Sequence, residues 1–226
     1  MTDFFRFPHT PHLDWLGKGY PRDDKVLTLV EAKELLTGEV LVEEKLDGAN
    51  LGISIGPDGC IRAQNRGQYL MEPFNGQFSR LNSWLAQHQW VLKDHLSADW
   101  ILFGEWCAAK HSLDYSRLPD WFVVFDVYDR SNQRFFSTKR RNQLVKTLGF
   151  NYVPTLFEGT TNLIDLIKLL DTARSFYRNG LPEGLIIRHQ SNQWCLQRAK
   201  LVRADFTQAI EDHWRKKIIE WNQVDD

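Results

Sequence analysis

The chain has 226 residues, of which 42% are hydrophobic and 25% are charged, so it can bury one substantial core and is expected to form a single domain over residues 1–226. Its formal net charge of −1 excludes a general electrostatic attraction to nucleic acid, which leaves local basic patches such as Lys139–Arg141 and Arg215–Lys217. The three cysteines are widely separated and show no metal-ligand spacing, which gives no argument for zinc and fits a reducing cytoplasm. Without an apolar signal core or a stretch of ~20 apolar residues, the sequence predicts a soluble, cytoplasmic protein with no membrane partner.

The chain begins with an arm that is too rich in proline and aromatic residues to be helical. We expect this arm, residues 1–25, to be extended and to pack onto the body of the protein. His9 and His12 in the arm are candidates for contact with phosphate or RNA, and the alternative is an ordinary capping or packing role. A short helix is predicted over residues 29–36, ending at Thr37 and Gly38.

The next stretch carries the strongest chemical signal, a lysine followed by an acid and a glycine. Residues 40–44 and 51–55 predict strands, and we place Lys45 in a loop between these two antiparallel strands. A lysine amine is charged at neutral pH, so its use as a nucleophile requires burial or neighbouring cations. Asp47 could hold a metal ion or pair with the amine, and Gly48 would let backbone N–H groups approach an anion. The alternative is a strand that ends in an exposed ion pair and a turn.

The rest of the chain alternates strands and helices. The strand at 61–64 brings Arg66 to its end, where it could contact ribose or phosphate, or lie exposed in a turn. Glu105 ends a buried-looking strand and needs a partner there, and one aromatic ring of the strand at 121–128 could stack on a purine. Arg198 and Lys200 share one face of a late strand, as a polyphosphate site would require. The other predicted elements are a helix at 74–90, a strand at 100–106, helices at 138–148 and 162–178, strands at 185–188 and 194–202, and an amphipathic helix at 204–221.

Five separated segments together resemble the covalent nucleotidyltransferases, the superfamily of DNA ligases, RNA ligases and mRNA capping enzymes. Within it the chain looks most similar to small ATP-dependent RNA ligases of the phage double-strand-sealing type. The segments that carry the resemblance are Lys45-Leu46-Asp47-Gly48 with Asn50, Phe103-Gly104-Glu105, Phe122–Tyr128, Glu183–Ile187 and Lys200–Arg203. The fold implied is α+β, with antiparallel sheets and flanking helices around an ATP cleft.

The resemblance implies a reaction in three steps. Lys45 attacks the α-phosphorus of ATP and becomes lysyl-N-AMP, the AMP passes to an RNA 5′-phosphate, and a 3′-hydroxyl then displaces it. The implied ATP- and AMP-binding residues are Glu44, Lys45, Asn50 at the α-phosphate, Arg66 and Glu105 at the ribose, Phe125 under adenine, Glu183, and Arg198 and Lys200 at the phosphates. Asp47 and Glu183 would help to hold a hydrated Mg²⁺ or Mn²⁺.

Two departures from the family pattern bear on this hypothesis. Arg198 stands where such RNA ligases commonly have lysine, which keeps the charge but changes the hydrogen-bond geometry. The 26 residues that follow Lys200 (226 minus 200) are too few for a separate C-terminal nucleic-acid-binding domain, so we expect weak RNA binding and possible help from an accessory protein. The candidate RNA contacts are His9, His12, Arg215, Lys216 and Lys217. A DNA ligase, a guanylyltransferase and a non-catalytic module that binds nucleotide or RNA ends stay open as alternatives.

Overall fold

Two β-sheets, each covered by helices on its outer face, form the framework. The computed structural model describes residues 4–19, 21, 25–209 and 219–225. Within them the strands are β1 Val40–Lys45, β2 Ala49–Ile55, β3 Ile61–Gln64, β4 Trp100–Trp106, β5 Phe122–Asp129, β6 Arg134–Phe135, β7 Asn151–Tyr152, β8 Thr155–Gly159, β9 Gly184–Gln190 and β10 Cys195–Val202. The helices are α1 Leu29–Leu35, α2 Leu81–His95, α3 Thr138–Thr147, α4 Leu163–Thr172 and α5 Ala204–Ala209, with a 3-10 turn at Gly76–Phe78.

The strand order separates the chain into two layers. One sheet has four strands in the order β10-β9-β1-β8, and the other has six, with the path β3-β2-β4-β5-β6 and β7 parallel to β5. All other pairings are antiparallel. The predicted α+β class with antiparallel sheets is therefore confirmed. None of the helices in the described part of the chain has the length and apolar character needed to cross a bilayer.

Side-chain alternation divides each strand between a helix-facing side and a side that faces the other sheet. In β1, Val40 and Val42 pack with α1 and α4, while Glu43 and Lys45 point the opposite way. In β2, Leu51 and Ile53 belong to the core beneath α2 and α3. Polar residues at the intervening positions therefore meet between the two sheets.

The crossing from one sheet to the other occurs directly after Lys45. We predicted a loop between two paired strands, and this was wrong, because β1 and β2 lie in different sheets and Lys45 is the last residue of β1. Residues 46–48 carry the chain across. Gly48 is required there, since a Cβ at this position would lie 2.7 Å from the carbonyl oxygen of Trp106.

Several helix boundaries differ from the sequence prediction. The helix predicted at 74–90 begins at Leu81, after Gly76 has turned the chain with φ +60. The helix predicted at 162–178 ends at Thr172, because Ala173 is extended. Ser137 caps α3 by accepting from the Arg140 N–H, and the helix begins at Thr138 as predicted. In the helix predicted at 204–221, residues 204–209 are helical, 210–218 lie outside the described residues, and Trp221 pairs with Ala109 as a bridge instead of ending a helix.

A buried chain of guanidinium and carboxylate groups joins the two sheets. Glu43 of β1 accepts from Arg141 Nη2 of α3 at 2.5 Å and from Arg188 Nε of β9 at 2.6 Å. Arg188 Nη1 also donates to Asp126 of β5 at 2.8 Å, and the second oxygen of Asp126 accepts from Arg198 Nη1 of β10 at 2.7 Å. Three arginines against two acids leave one excess positive charge. Because all but Arg198 are at most 2% exposed, each charge depends on its partners for solvation.

The first prediction tests this chain. Arg188→Leu should lower the free energy of unfolding by about 3–5 kcal/mol, because it leaves Glu43 and Asp126 buried with fewer partners. Urea denaturation gives the difference directly. Arg62→Leu is the matched control, since its pair with Asp58 lies at the surface and should matter little. Equal and small effects of the two substitutions would contradict the structural role of the chain.

Candidate active site

A cleft of about 590 Å³ lies between the two sheets. Such a volume suits a nucleotide-sized ligand. Eight of the nine predicted nucleotide-binding residues line it, namely Glu44, Lys45, Asn50, Arg66, Glu105, Phe125, Arg198 and Lys200. The ninth, Glu183, contacts Lys45 directly.

Three acids surround the amine of Lys45. Lys45 Nζ lies 2.7 Å from the Glu183 carboxylate, and Glu105 and Asp47 act on it at longer range. Burial by itself would lower the pKa of Lys45, but Glu183, Glu105 and Asp47 together raise it above its ordinary value. The amine is therefore charged at neutral pH, and neutralising this negative surplus would favour its neutral form.

The two glutamates near Lys45 hold their protons unusually well. Burial raises the pKa of Glu183 to about 8, against the opposing attraction of Lys45. Burial also raises the pKa of Glu105 to about 7, although its Oε1 accepts a 3.0 Å hydrogen bond from the Gly48 N–H. Perturbed carboxylates that converge in a cleft are typical of functional sites.

Asp47 is held by the connection between β4 and β5. Its Oδ2 accepts from the backbone N–H groups of Ser112 and Leu113, both at 2.8 Å, and its own N–H donates to the Tyr115 hydroxyl at 2.8 Å. His111 Nδ1 lies 4.0 Å from the other carboxylate oxygen. Among the described residues, no group of three His, Cys, Asp or Glu side chains could hold a metal ion.

A bulge in β5 places Phe125 at the cleft. Opposite β4, Phe103 pairs with Asp126 and Gly104 with Val124, so Phe125 is the extra residue. Its carbonyl, released from the ladder, accepts from Arg141 at 2.7 Å and from Arg188 at 2.9 Å. The bulge turns the ring into the cleft and ties its backbone to the buried arginines.

The arm forms one wall of the site. Phe7 is buried, packs edge-on against Phe125 at 5.3 Å between ring centroids, and lies 4.6 Å from the Arg198 guanidinium. Residues Pro11 and Leu13 exchange backbone hydrogen bonds with Lys200 on β10. The described residues of the arm thus include contacts with both β5 and β10.

Among the residues that line the cleft, Arg66 Nε, Asn50 Oδ1 and Glu44 Oε1 have negligible exposure and no hydrogen-bond partner among the described residues. Buried polar groups are normally paired, so atoms of this kind in a cleft are positioned for a ligand. Glu44 differs, because alternation turns its side chain away from Lys45, and its Oε2 accepts from the Phe176 N–H at 3.0 Å. Its backbone borders the cleft.

Two of the five candidate RNA contacts, His9 and His12, are among the described residues. His9 is exposed, whereas His12 is 4% exposed and packs edge-on against Trp15. Arg215, Lys216 and Lys217 lie outside the described residues. An RNA contact by any of them stays a prediction.

Sequence reasoning missed several groups of the cleft. Phe7, His111, Asp126 and Arg188 are among the residues that line it. The Nε2–H of His111 donates to Gln77 Oε1 at 2.7 Å, since an amide oxygen can only accept. The signal that could have revealed Asp126 and Arg188 is a charged residue inside each of two strongly apolar strands.

Comparison with known proteins identifies the family. The family model described as RNA ligase matches residues 38–202, which is most of the chain. The chain belongs to the RNA ligase family. The match includes every nucleotide-binding residue that the sequence predicted, from Glu44 to Lys200. No curated protein matches the sequence.

Solved RNA ligases share the fold at low sequence identity. A mutant Naegleria gruberi RNA ligase with ATP and Mn is 18% identical at a TM-score of 0.66, with 94% of this chain and 60% of that chain covered. A second mutant of the same ligase, also with ATP and Mn, is 19% identical at a TM-score of 0.56. The match covers 80% of this chain and 54% of that chain. An archaeal ATP-dependent RNA ligase is 22% identical at a TM-score of 0.62. The match covers 88% of this chain and 48% of that chain. The chain thus spans about half the length of the solved RNA ligases that it matches.

The second prediction concerns the pH dependence of stability in this RNA ligase family member. Folding raises the pKa of Glu183 from an ordinary 4.5 to about 8, so the folded state binds the proton more tightly. The resulting stability is complete below the ordinary value and is lost as the pH rises through about 8. Glu183→Gln cannot titrate, so its melting temperature should rise relative to the wild type as the pH increases.

Thermal melts over a pH series test this prediction. Glu31→Gln is the control, because hydrogen bonds from Lys25 and Thr28 lower the pKa of Glu31 to about 2. The difference in melting temperature between this variant and the wild type should therefore be constant at neutral and alkaline pH. If the difference in melting temperature between Glu183→Gln and the wild type did not change with pH, the Glu183 carboxyl of the wild type would have an ordinary pKa.

Proposed function

We propose that the protein is an ATP-dependent RNA ligase in which Lys45 forms a covalent lysyl-AMP intermediate. The observation that supports this most directly is the contact of Lys45 with Glu183, at 2.7 Å, inside a cleft that also holds Glu105. The ATP in the complexes of the solved ligases supports ATP as the nucleotide. Membership of the RNA ligase family supports RNA as the second substrate.

The first step requires the Lys45 ammonium to lose a proton. The Glu183 carboxylate, 2.7 Å from Lys45 Nζ, is the nearest acceptor, and the burial that raises its pKa makes it a stronger base. The neutral amine then attacks the α-phosphorus of ATP, a P–N bond forms, and the bond to the pyrophosphate oxygen breaks. Transfers of this type depend on positioning and charge neutralisation more than on covalent help from the protein.

Cations of the cleft suit the phosphate groups. Arg198 is the outer end of the buried ionic chain and carries its excess positive charge toward the cleft, and Lys200 lies two residues along the same face. Arg66 lines the same cleft, and its Nε has no hydrogen-bond partner among the described residues. In our proposal Arg66 and Glu105 hold the ribose, and Phe125 stacks on the adenine.

A divalent metal fits the acidic side of the cleft. The Mn present with ATP in the solved ligases supports Mg²⁺ or Mn²⁺ as the ion. Asp47 and Glu183 would hold it through water, since Asp47 already accepts two backbone hydrogen bonds. When bound, the metal supplies positive charge that neutralises the phosphates and favours the neutral form of Lys45.

Later steps follow from the same site. AMP passes from Lys45 to an RNA 5′-phosphate, and attack by an RNA 3′-hydroxyl releases AMP as the phosphodiester forms. We propose that the substrate is RNA with these two ends, that the ligase acts in the cytoplasm, and that an accessory protein can assist RNA binding. A nucleotide-preference assay separates this proposal from a guanylyltransferase, which would form its adduct with GTP.

The third prediction is that Lys45 carries the AMP. Intact-mass spectrometry after incubation with ATP and Mg²⁺ should show an AMP adduct on the wild type. Lys45→Ala and Lys45→Arg should show none, because neither side chain offers a neutral amine. Lys168→Ala, which removes an exposed lysine paired with Asp165, should retain the adduct. An adduct on Lys45→Ala would refute the assignment.

The fourth prediction concerns Asn50, whose amide faces the cleft beside Glu105 in the pairing of β2 and β4. Asn50→Asp keeps the shape but replaces an N–H donor with a charge that repels phosphate. We expect adduct formation at saturating ATP to slow by about 10²–10³-fold, the usual effect of losing one donor to a transition-state anion.

Quenched-flow measurement gives the single-turnover rate of adduct formation for Asn50→Asp and for the wild type. Asn192→Asp is the control, because Asn192 is exposed and its substitution should leave the rate unchanged. A rate for Asn50→Asp equal to that of the control would remove Asn50 from the phosphate site.

A further inference from the structure

The connection between β4 and β5 carries groups that meet the candidate active site, yet it has no regular secondary structure between Cys107 and Asp120. Ser112 and Leu113 donate their backbone N–H groups to Asp47, and the hydroxyl of Tyr115 accepts from the Asp47 N–H. His111 lies in the cleft between Gln77 and Asp47. The position of Asp47 relative to Lys45 therefore depends on what holds this connection in place.

A distant segment, residues 219–225, provides much of that support. It runs along the connection and pairs with it through backbone hydrogen bonds of ordinary length. These bonds are Lys110 N–H to Glu220 O at 2.9 Å, Asn222 N–H to Ala108 O at 2.9 Å, Gln223 N–H to Tyr115 O at 2.9 Å, Leu118 N–H to Gln223 O at 3.0 Å and Asp225 N–H to Leu118 O at 2.8 Å.

Asn222 is the centre of this contact. Its side chain is 5% exposed, its Oδ1 accepts from the Tyr115 N–H at 2.8 Å, and its Nδ2 donates to Cys107 O at 2.8 Å and Ala109 O at 3.3 Å. One amide thus satisfies three backbone groups of the connection, two before His111 and one after it. An asparagine has the donors and acceptor for this arrangement, whereas an aspartate would lack both donors.

We infer that segment 219–225 positions the active site, and that Asn222 acts through the 107–118 connection on Asp47. Asn222 is a positioning residue in this account, since it touches none of the groups that react. Its catalytic consequence rests on the proposed function. The geometric consequence, a fixed Asp47, does not depend on that proposal.

Residues outside segment 219–225 also hold the connection, so substitution of Asn222 should not unfold it. Tyr177 O accepts from the N–H groups of Ser116 and Arg117, and Arg178 contacts Asp114. Asn222→Ala therefore removes three side-chain hydrogen bonds, while the backbone pairing of 219–225 and the Tyr177 and Arg178 contacts remain.

The experiment compares Asn222→Ala with Gln223→Ala, a neighbour whose side chain is exposed and which joins the connection through its backbone. Hydrogen–deuterium exchange should be faster at the Ser112 and Leu113 amides in Asn222→Ala, with β2 unchanged, and normal throughout in Gln223→Ala. The maximal rate of adenylylation in Asn222→Ala should fall by about 10–100-fold, as expected for a displaced site, while the ATP concentration for half-saturation is preserved.

A double-mutant cycle with Asp47→Ala distinguishes positioning from general destabilisation. If Asn222 acts through Asp47, Asn222→Ala should have little further effect on the rate in the Asp47→Ala background. Independent, additive losses, or normal exchange at Ser112 and Leu113, would overturn the inference. A wild-type protein that forms no adduct would instead contradict the proposed function, and the exchange result alone would then decide the role of Asn222.

Discussion

The buried chain from Arg141 through Glu43, Arg188 and Asp126 to Arg198 is the constraint on which the rest of the structure depends. It draws on both sheets and on α3, so it fixes how far apart the sheets lie. Charges removed from water are tolerated when their partners are complete, and here each acid receives two guanidinium contacts. The same chain sets the charge of the cleft, because its excess positive charge ends at Arg198.

That cleft combines two opposite electrostatic surfaces. On one side Lys45 is surrounded by Glu183, Glu105 and Asp47, which hold its amine in the charged, unreactive form. On the other side Arg198 and Lys200 form a cationic face suited to phosphate. Bound phosphates alone would further favour the ammonium, so catalysis by Lys45 requires additional positive charge beside the acids. The proposed use of a divalent metal follows from this balance as well as from family membership.

Much of the site could be predicted from the sequence, because short segments carry it. The strand at Ile61–Gln64 and the strand at Trp100–Trp106 were predicted with their observed bounds, since apolar runs bounded by turn residues are reliable local signals. The family, the fold class and eight of the residues that line the cleft were also predicted. The phage double-strand-sealing subtype stays a prediction.

Long-range features could not be predicted in the same way. The pairing of β1 with β9 across more than a hundred residues, and therefore the placement of Lys45 at a crossing between sheets, leaves no local trace in the sequence. Asn222 resembles any polar residue near the end of a chain until its contacts with Tyr115 and Cys107 are seen. Helix ends were wrong where backbone conformation at Gly76 and Ala173 overrode a favourable helical periodicity.

The most direct test of the account is to locate the covalent bond. After reaction with ATP, the protein is digested and the modified peptide is identified by tandem mass spectrometry, with part of the sample first treated with acid. The account predicts AMP on the peptide that contains Lys45, joined by a phosphoramidate bond that acid cleaves and mild alkali does not. AMP on any other residue, or an acid-stable linkage at Lys45, would contradict it.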